Sequence, residues 1–81
     1  MESIIEFLAQ KIAAEILRQN NRTIKADEKL ISSGLIDSFS LVDLALIVED
    51  EYGVQLDDTE LTADHFDTIQ ELAEIIVSRQ V

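Results

Sequence analysis

Residues 37–53 constrain the fold more than any other stretch of the chain. Asp37 precedes fifteen residues free of glycine and proline, Ser38 to Tyr52, and Gly53 follows them. A carboxylate at the start of such a run is a strong N-cap. It accepts from the orphan N–H groups of the first turn and sits at the positive end of the helix dipole. A glycine just past the run supplies the left-handed residue that closes a helix. The sequence therefore predicts a helix from about Ser38 to Tyr52, and the rest of the chain has to pack against it.

That helix carries two apolar stripes. At about 100° per residue, Leu41, Leu44, Ala45, Val48 and Tyr52 fall on one side and form a core face. Phe39, Val42 and Leu46 fall close to the opposite side, interleaved with Asp43, Glu49 and Asp50. A surface helix of a small protein needs only one apolar stripe. Single exposed apolar residues are ordinary. Three in line, rimmed by carboxylates and beside Ser38, have the pattern of a partner surface.

The other elements follow from caps and periods. Ser3-x-x-Glu6 reads as a capping box opening a helix to about Asn20, with Ile5, Leu8, Ile12, Ile16 and Leu17 inward. Asn21 to Asp37 shows no sustained period, so it is a long loop, pinned to the core by Ile24, Leu30, Leu35 and Ile36. Asp27 is a candidate cap for a short turn leading to Leu30. After Gly53, Val54-Gln55-Leu56 is a short extended link, and Asp57-Asp58-Thr59 caps a brief helical piece through about Phe66. Thr68-x-x-Glu71 opens a last helix with Ile69, Leu72, Ala73, Ile76 and Val77 inward. The expected fold is all-α, a small bundle of three main helices plus one short helix, with a long ordered loop between helices 1 and 2. At 81 residues it is read as a single domain, residues 1–81.

Charge is segregated along the chain. Residues 1–29 hold five basic and five acidic side chains, whereas Leu30 to Ser78 contains no lysine or arginine. Nearly all of the net charge of −11 therefore belongs to the part that contains Ser38. Such a surface repels nucleic-acid phosphates and anionic headgroups and attracts basic protein surfaces, although acids also serve plain solubility. There is no cysteine, no apolar run of membrane length and no signal-peptide pattern, so a cytoplasmic monomer with no membrane insertion is expected.

Other site chemistries fail on spacing. A calcium loop built on Gly53 would take Val48, Tyr52 and Thr59 as ligands, and none suits the ion. His65 is the only histidine, and Ser38 lacks the Gly-x-Ser-x-Gly elbow of a serine hydrolase. No catalytic or metal-binding residue is expected.

Ser38 lies at the start of the helix, where backbone N–H groups favour a phosphate. Gly34 allows the preceding loop to turn sharply. By itself a serine ahead of an apolar run is an ordinary cap residue. The run Gly34, Leu35-Ile36, Asp37-Ser38, Phe39 resembles the prosthetic-group site of the acyl and peptidyl carrier proteins, and the order of elements resembles that family over nearly the whole chain. The resemblance implies 4′-phosphopantetheine, supplied by coenzyme A and attached to Ser38 by a phosphopantetheinyl transferase, with Asp37 as the adjacent helix cap. It implies a non-enzymatic carrier that holds acyl or aminoacyl groups as thioesters for loading, condensing and transfer enzymes with basic surfaces. Phe39, Val42 and Leu46 match the family's apolar docking positions, and Asp43, Glu49 and Asp50 its acidic ones. Ser40 stands where fatty-acid carriers commonly have an acid, and two residues rather than one separate Gly34 from Asp37. The pattern is closer to D-alanyl, polyketide or nonribosomal carriers. The alternative is an acidic helical interaction module with no prosthetic group.

Overall fold

A computed structural model describes residues 2–19 and 21–80. Helix α1 (Glu2–Lys11) runs directly into a π-helical segment, Ile12–Ile16. Helix α2 (Ser38–Tyr52), a single 3-10 turn (Asp58–Glu60) and helix α3 (Ile69–Arg79) complete the order. Among the described residues there is no strand. The buried apolar side chains form one cluster, centred on Leu8, Ile12, Leu30, Leu44, Val48, Phe66, Ile69, Leu72 and Ile76.

The first helix differs from its expected course at both ends. Ser3 lies inside the first turn rather than capping it, because α1 already includes Glu2, whose carboxylate suits a helix start. The residue ahead of Glu2 lies outside the described residues. At the other end the winding loosens after Lys11, and Leu17 N–H donates to Ile12 O at 2.9 Å, an i→i+5 bond. The extra residue brings Leu17 above Ile12, one wide turn on, so Ile16 and Leu17 both reach the core. Arg18 then takes φ 57°, and Gln19 N–H closes onto Ala13 O at 2.7 Å. The helix thus stops at Ile16, short of Asn20, which itself lies outside the described residues.

From residue 21 to Asp37 the loop is held by its apolar side chains. Ile24, Leu30 and Ile36 are buried, and Ile31 and Leu35 pack partly against the core. The turn at Lys25–Glu28 uses the Glu28 carboxylate, which accepts from Lys25 N–H at 3.4 Å and pairs with Arg22 at 2.9 Å. Glu28, not Asp27, therefore closes that turn. Backbone bonds to the start of α3 and the chain just ahead of it hold the loop, Leu30 N–H to Asp67 O at 2.6 Å and Gln70 N–H to Ala26 O at 3.0 Å.

Between α2 and α3, Val54 is buried, Gln55 exposed and Leu56 half-buried, the alternation of an extended link. The helical piece expected through Phe66 is only the 3-10 turn. Leu61, with ψ 58°, breaks it, and Glu60 is held back by Asp57 N–H and by the Arg79 guanidinium. Thr62 to Phe66 forms a separate turn. Thr68 Oγ1 caps α3 by accepting from Glu71 N–H at 3.1 Å, and Glu71 reaches back to Asp67 N–H at 2.8 Å. Ile69, Leu72, Ala73 and Ile76 are fully buried, but Val77 is 43% exposed. It lies about 80° round the helix from Ile69 and so falls at the edge of the buried stripe.

Candidate functional site

Asp37 is extended (φ −88°, ψ 175°), and its carboxylate accepts from Ser40 N–H at 2.8 Å. Its backbone carbonyl accepts the first helical bond, from Leu41 N–H at 3.0 Å. Both are the bonds expected of an N-cap. The Ser40 N–H, then the Ser40 hydroxyl and the Phe39 N–H, hold the Asp37 carboxyl below its ordinary 3.8, with slight burial opposing them. At the far end Gly53 takes φ 68°, and its N–H bonds Glu49 O at 2.9 Å. The helix therefore begins and ends at the residues that the sequence marks.

Ser38 is the first residue of α2 and is exposed. Its hydroxyl makes no hydrogen bond to another described residue, whereas Ser40 is half-buried with its hydroxyl beside Asp37. Two serines two residues apart thus differ in kind, one tied into the cap and the other open to solvent. Gly34, four residues ahead of Ser38, has φ 80° with no heavy atom within 4 Å of where a Cβ would stand. Glycine is favoured there by backbone conformation rather than by crowding.

The loop leading to Ser38 is fixed by Asp67, which the sequence reading did not single out. The Asp67 carboxylate accepts from Ile31 N–H at 2.7 Å, Ser32 N–H at 2.9 Å and the Ser32 hydroxyl at 2.5 Å. Burial pushes this carboxyl up. The Ser32 hydroxyl and the two N–H groups outweigh that and hold it below 3.8. The only local signal is a charged residue between two buried ones, Phe66 and Thr68, since a buried carboxylate needs donors.

The two stripes of α2 separate as the period requires. Leu41, Leu44 and Val48 are buried, and Ala45 and Tyr52 are half-buried, with Tyr52 edge-on to Phe7 at 5.6 Å. Phe39 is 86% exposed, Leu46 58% and Val42 49%. Asp43, Glu49 and Asp50 are all exposed beside them. Glu49 accepts from Gln55 Nε2 at 3.1 Å. The ion pairs among the described residues are Lys11–Glu15, Arg22–Glu28 and Arg79–Glu60, so none neutralises α2. A helix of 15 residues thus presents a serine at its positive end and an apolar strip within unpaired carboxylates along its outer side.

His65 is exposed, with Nδ1 3.1 Å from Thr62 Oγ1. It lies in the Thr62–Phe66 turn, apart in sequence from Ser38. Among the described residues no group of histidine and carboxylate side chains is arranged to hold a metal ion, and no helix is long and apolar enough to cross a membrane.

A family model described as a phosphopantetheine attachment site matches residues 8–76. Comparison with curated proteins gives no match.

Proposed function

The chain belongs to the phosphopantetheine attachment-site family, and from that premise we propose that Ser38 is its attachment residue and α2 its docking helix. The family carries covalently bound 4′-phosphopantetheine and is served by phosphopantetheinyl transferases and partner enzymes. The observation that carries the assignment is Ser38 itself. It is an exposed hydroxyl without a hydrogen-bond partner among the described residues, set directly after the Asp37 cap.

The residues around Ser38 suit a phosphodiester. Asp37 occupies Ser40 N–H, while the earlier N–H groups of α2 have no carbonyl one turn back to accept from them. A phosphate on Ser38 would lie at that positive end. When attached, the group supplies a flexible arm ending in a thiol that holds an acyl or aminoacyl cargo as a thioester. The chain itself supplies attachment and recognition and no catalytic group. Phe39, Val42 and Leu46 supply apolar contact, and Asp43, Glu49 and Asp50 steer a basic partner surface. The two-residue spacing at Leu35-Ile36 and the serine at position 40 support D-alanyl, polyketide or nonribosomal service over housekeeping fatty-acid synthesis.

The test is intact mass after incubation with coenzyme A, magnesium and a broad-specificity phosphopantetheinyl transferase. The expected result is a gain of one phosphopantetheine that Ser38→Ala abolishes and Ser40→Ala leaves in place. Modification that survives Ser38→Ala and disappears with Ser40→Ala would overturn the assignment.

A further inference from the structure

Three consecutive N–H groups of the long loop end on one residue. Leu30 N–H donates to the Asp67 carbonyl at 2.6 Å, and Ile31 and Ser32 N–H donate to carboxylate Oδ1 at 2.7 and 2.9 Å. The Ser32 hydroxyl donates to the second oxygen, Oδ2. Asp67 is itself held, since its own N–H donates to the Glu71 carboxylate at 2.8 Å and the residue is only 8% exposed.

This grip reaches Ser38 in one further step. Leu30, pinned through its N–H, accepts from Ile36 N–H at 2.9 Å, which closes residues 30–36 into a ring. Within the ring Gly34 N–H bonds Ile31 O at 3.0 Å, and Leu35 N–H bonds Ser33 Oγ at 3.3 Å. Its two ends, Leu30 and Ile36, are buried. Asp37 and Ser38 follow directly.

Ser38 is therefore held between two anchors. Leu41 is the first buried side chain of α2, and Ile36 is the last one ahead of the helix. Val42, Asp43, Leu46, Glu49 and Asp50 all lie beyond Leu41, where Leu44 and Val48 fix the helix to the core. The outer face of α2 thus keeps its place whatever the loop does. Ser38 does not, because its near side is fixed only through Ile36 and the ring. Apolar packing can bury Leu30 and Ile36, but it gives the loop N–H groups no acceptor. One preorganised carboxylate does.

We propose that Asp67 is a positioning residue for the modification of Ser38, acting through the Leu30–Ile36 ring to hold the serine hydroxyl where the transferase meets it. This rests on the carrier reading above. In the transfer a bond forms from Ser38 Oγ to the phosphorus of coenzyme A that bears the pantetheine arm. The bond from that phosphorus to the departing adenosine bisphosphate breaks, and the hydroxyl proton passes to a base of the transferase. Such a displacement depends on where the attacking oxygen is held.

The probe is a broad-specificity phosphopantetheinyl transferase with coenzyme A and magnesium, acting on the full chain well below the Tm of every variant, with Ser38 modification followed by mass. Asp67→Ala is expected to lower kcat about tenfold while KM for the carrier stays within about twofold, the pattern of a reacting group loosely held. Asp67→Asn keeps one oxygen for Ile31 and Ser32 N–H and should stay within about threefold of wild type. Glu60→Ala removes the same charge and breaks the contact with Arg79 at the far end of α3. Its kcat should stay within about twofold of wild type. Equal loss of kcat in Asp67→Ala and Glu60→Ala, or a loss that falls on KM alone, would overturn the proposal. Should Asp67→Ala fail to fold, Ser32→Ala carries the same test from an exposed position. Its kcat should fall about threefold, and an unchanged kcat would count against the proposal. A wild type that gains no mass means that the carrier reading fails and takes this proposal with it. A wild type that is modified no faster than Asp67→Ala fails the proposal alone.

Discussion

Asp37 fixes the residue scale of the site, because its single carboxylate ends the loop and starts the helix. The Ser40 N–H and hydroxyl depress its proton affinity in the folded state. A depressed carboxyl contributes stability that is complete above its unfolded value, here 3.8, and is lost as pH falls through the folded value. Asp37→Ala should therefore lower Tm at neutral pH, and the gap from wild type should close as the pH is taken below 3.8. Melts of both proteins from pH 7 to pH 2 measure this, and a gap that stays constant down to pH 2 would mean that the charge plays no part. Asp37 and Gly53 are legible in the sequence as the ends of α2 because capping rules act over three or four residues. Asp67 is not, because the groups that need it, Ile31 N–H and Ser32, lie 36 and 35 positions away.

At the scale of elements, α2 separates a buried apolar stripe from an exposed one by angle alone. Leu44 is fully buried, so Leu44→Ala should cost about 2–5 kcal/mol through lost transfer energy and a residual cavity. Leu46 is 58% exposed, so Leu46→Ala should stay within about 0.5 kcal/mol of wild type. Among molecules that remain folded, the order of effect on Ser38 modification should reverse. Urea melts and single-turnover loading test both halves, and equal destabilisation by the two variants would make the outer stripe part of the core. The α2 face could be read from a clean 3.6-residue period running between two terminators. The first helix could not be read to its end, since its sequence gives no mark where α winding gives way to π. That change is decided by Ile16 and Leu17 finding room in a core assembled from distant segments. Val77 misleads for a related reason, because an edge position at about 80° is inward or outward according to its neighbours.

For the whole molecule, the first 29 residues are balanced in charge and the remainder, which holds the acids of α2, carries nearly all of the net −11. Encounter with a basic enzyme should slow as salt is added, because exposed charges are screened beyond roughly 10 Å at 0.1 M. Glu49→Lys should weaken the encounter more than Glu2→Lys, though both change the net charge equally. Stopped-flow association over a salt series checks this, and equal loss from the two reversals would show that partners sense net charge rather than a face. The ties that hold the loop ahead of Ser38 also carry a consequence for the order of synthesis. Leu30, Ile31 and Ser32 donate to Asp67, and Ala26 accepts from Gln70. A growing chain that has emerged only as far as Tyr52 has its first two helices and its serine, but not Asp67 or Gln70, whose hydrogen bonds tie down the loop between them. The serine is made before the frame that presents it, which waits for residues 67 and 70.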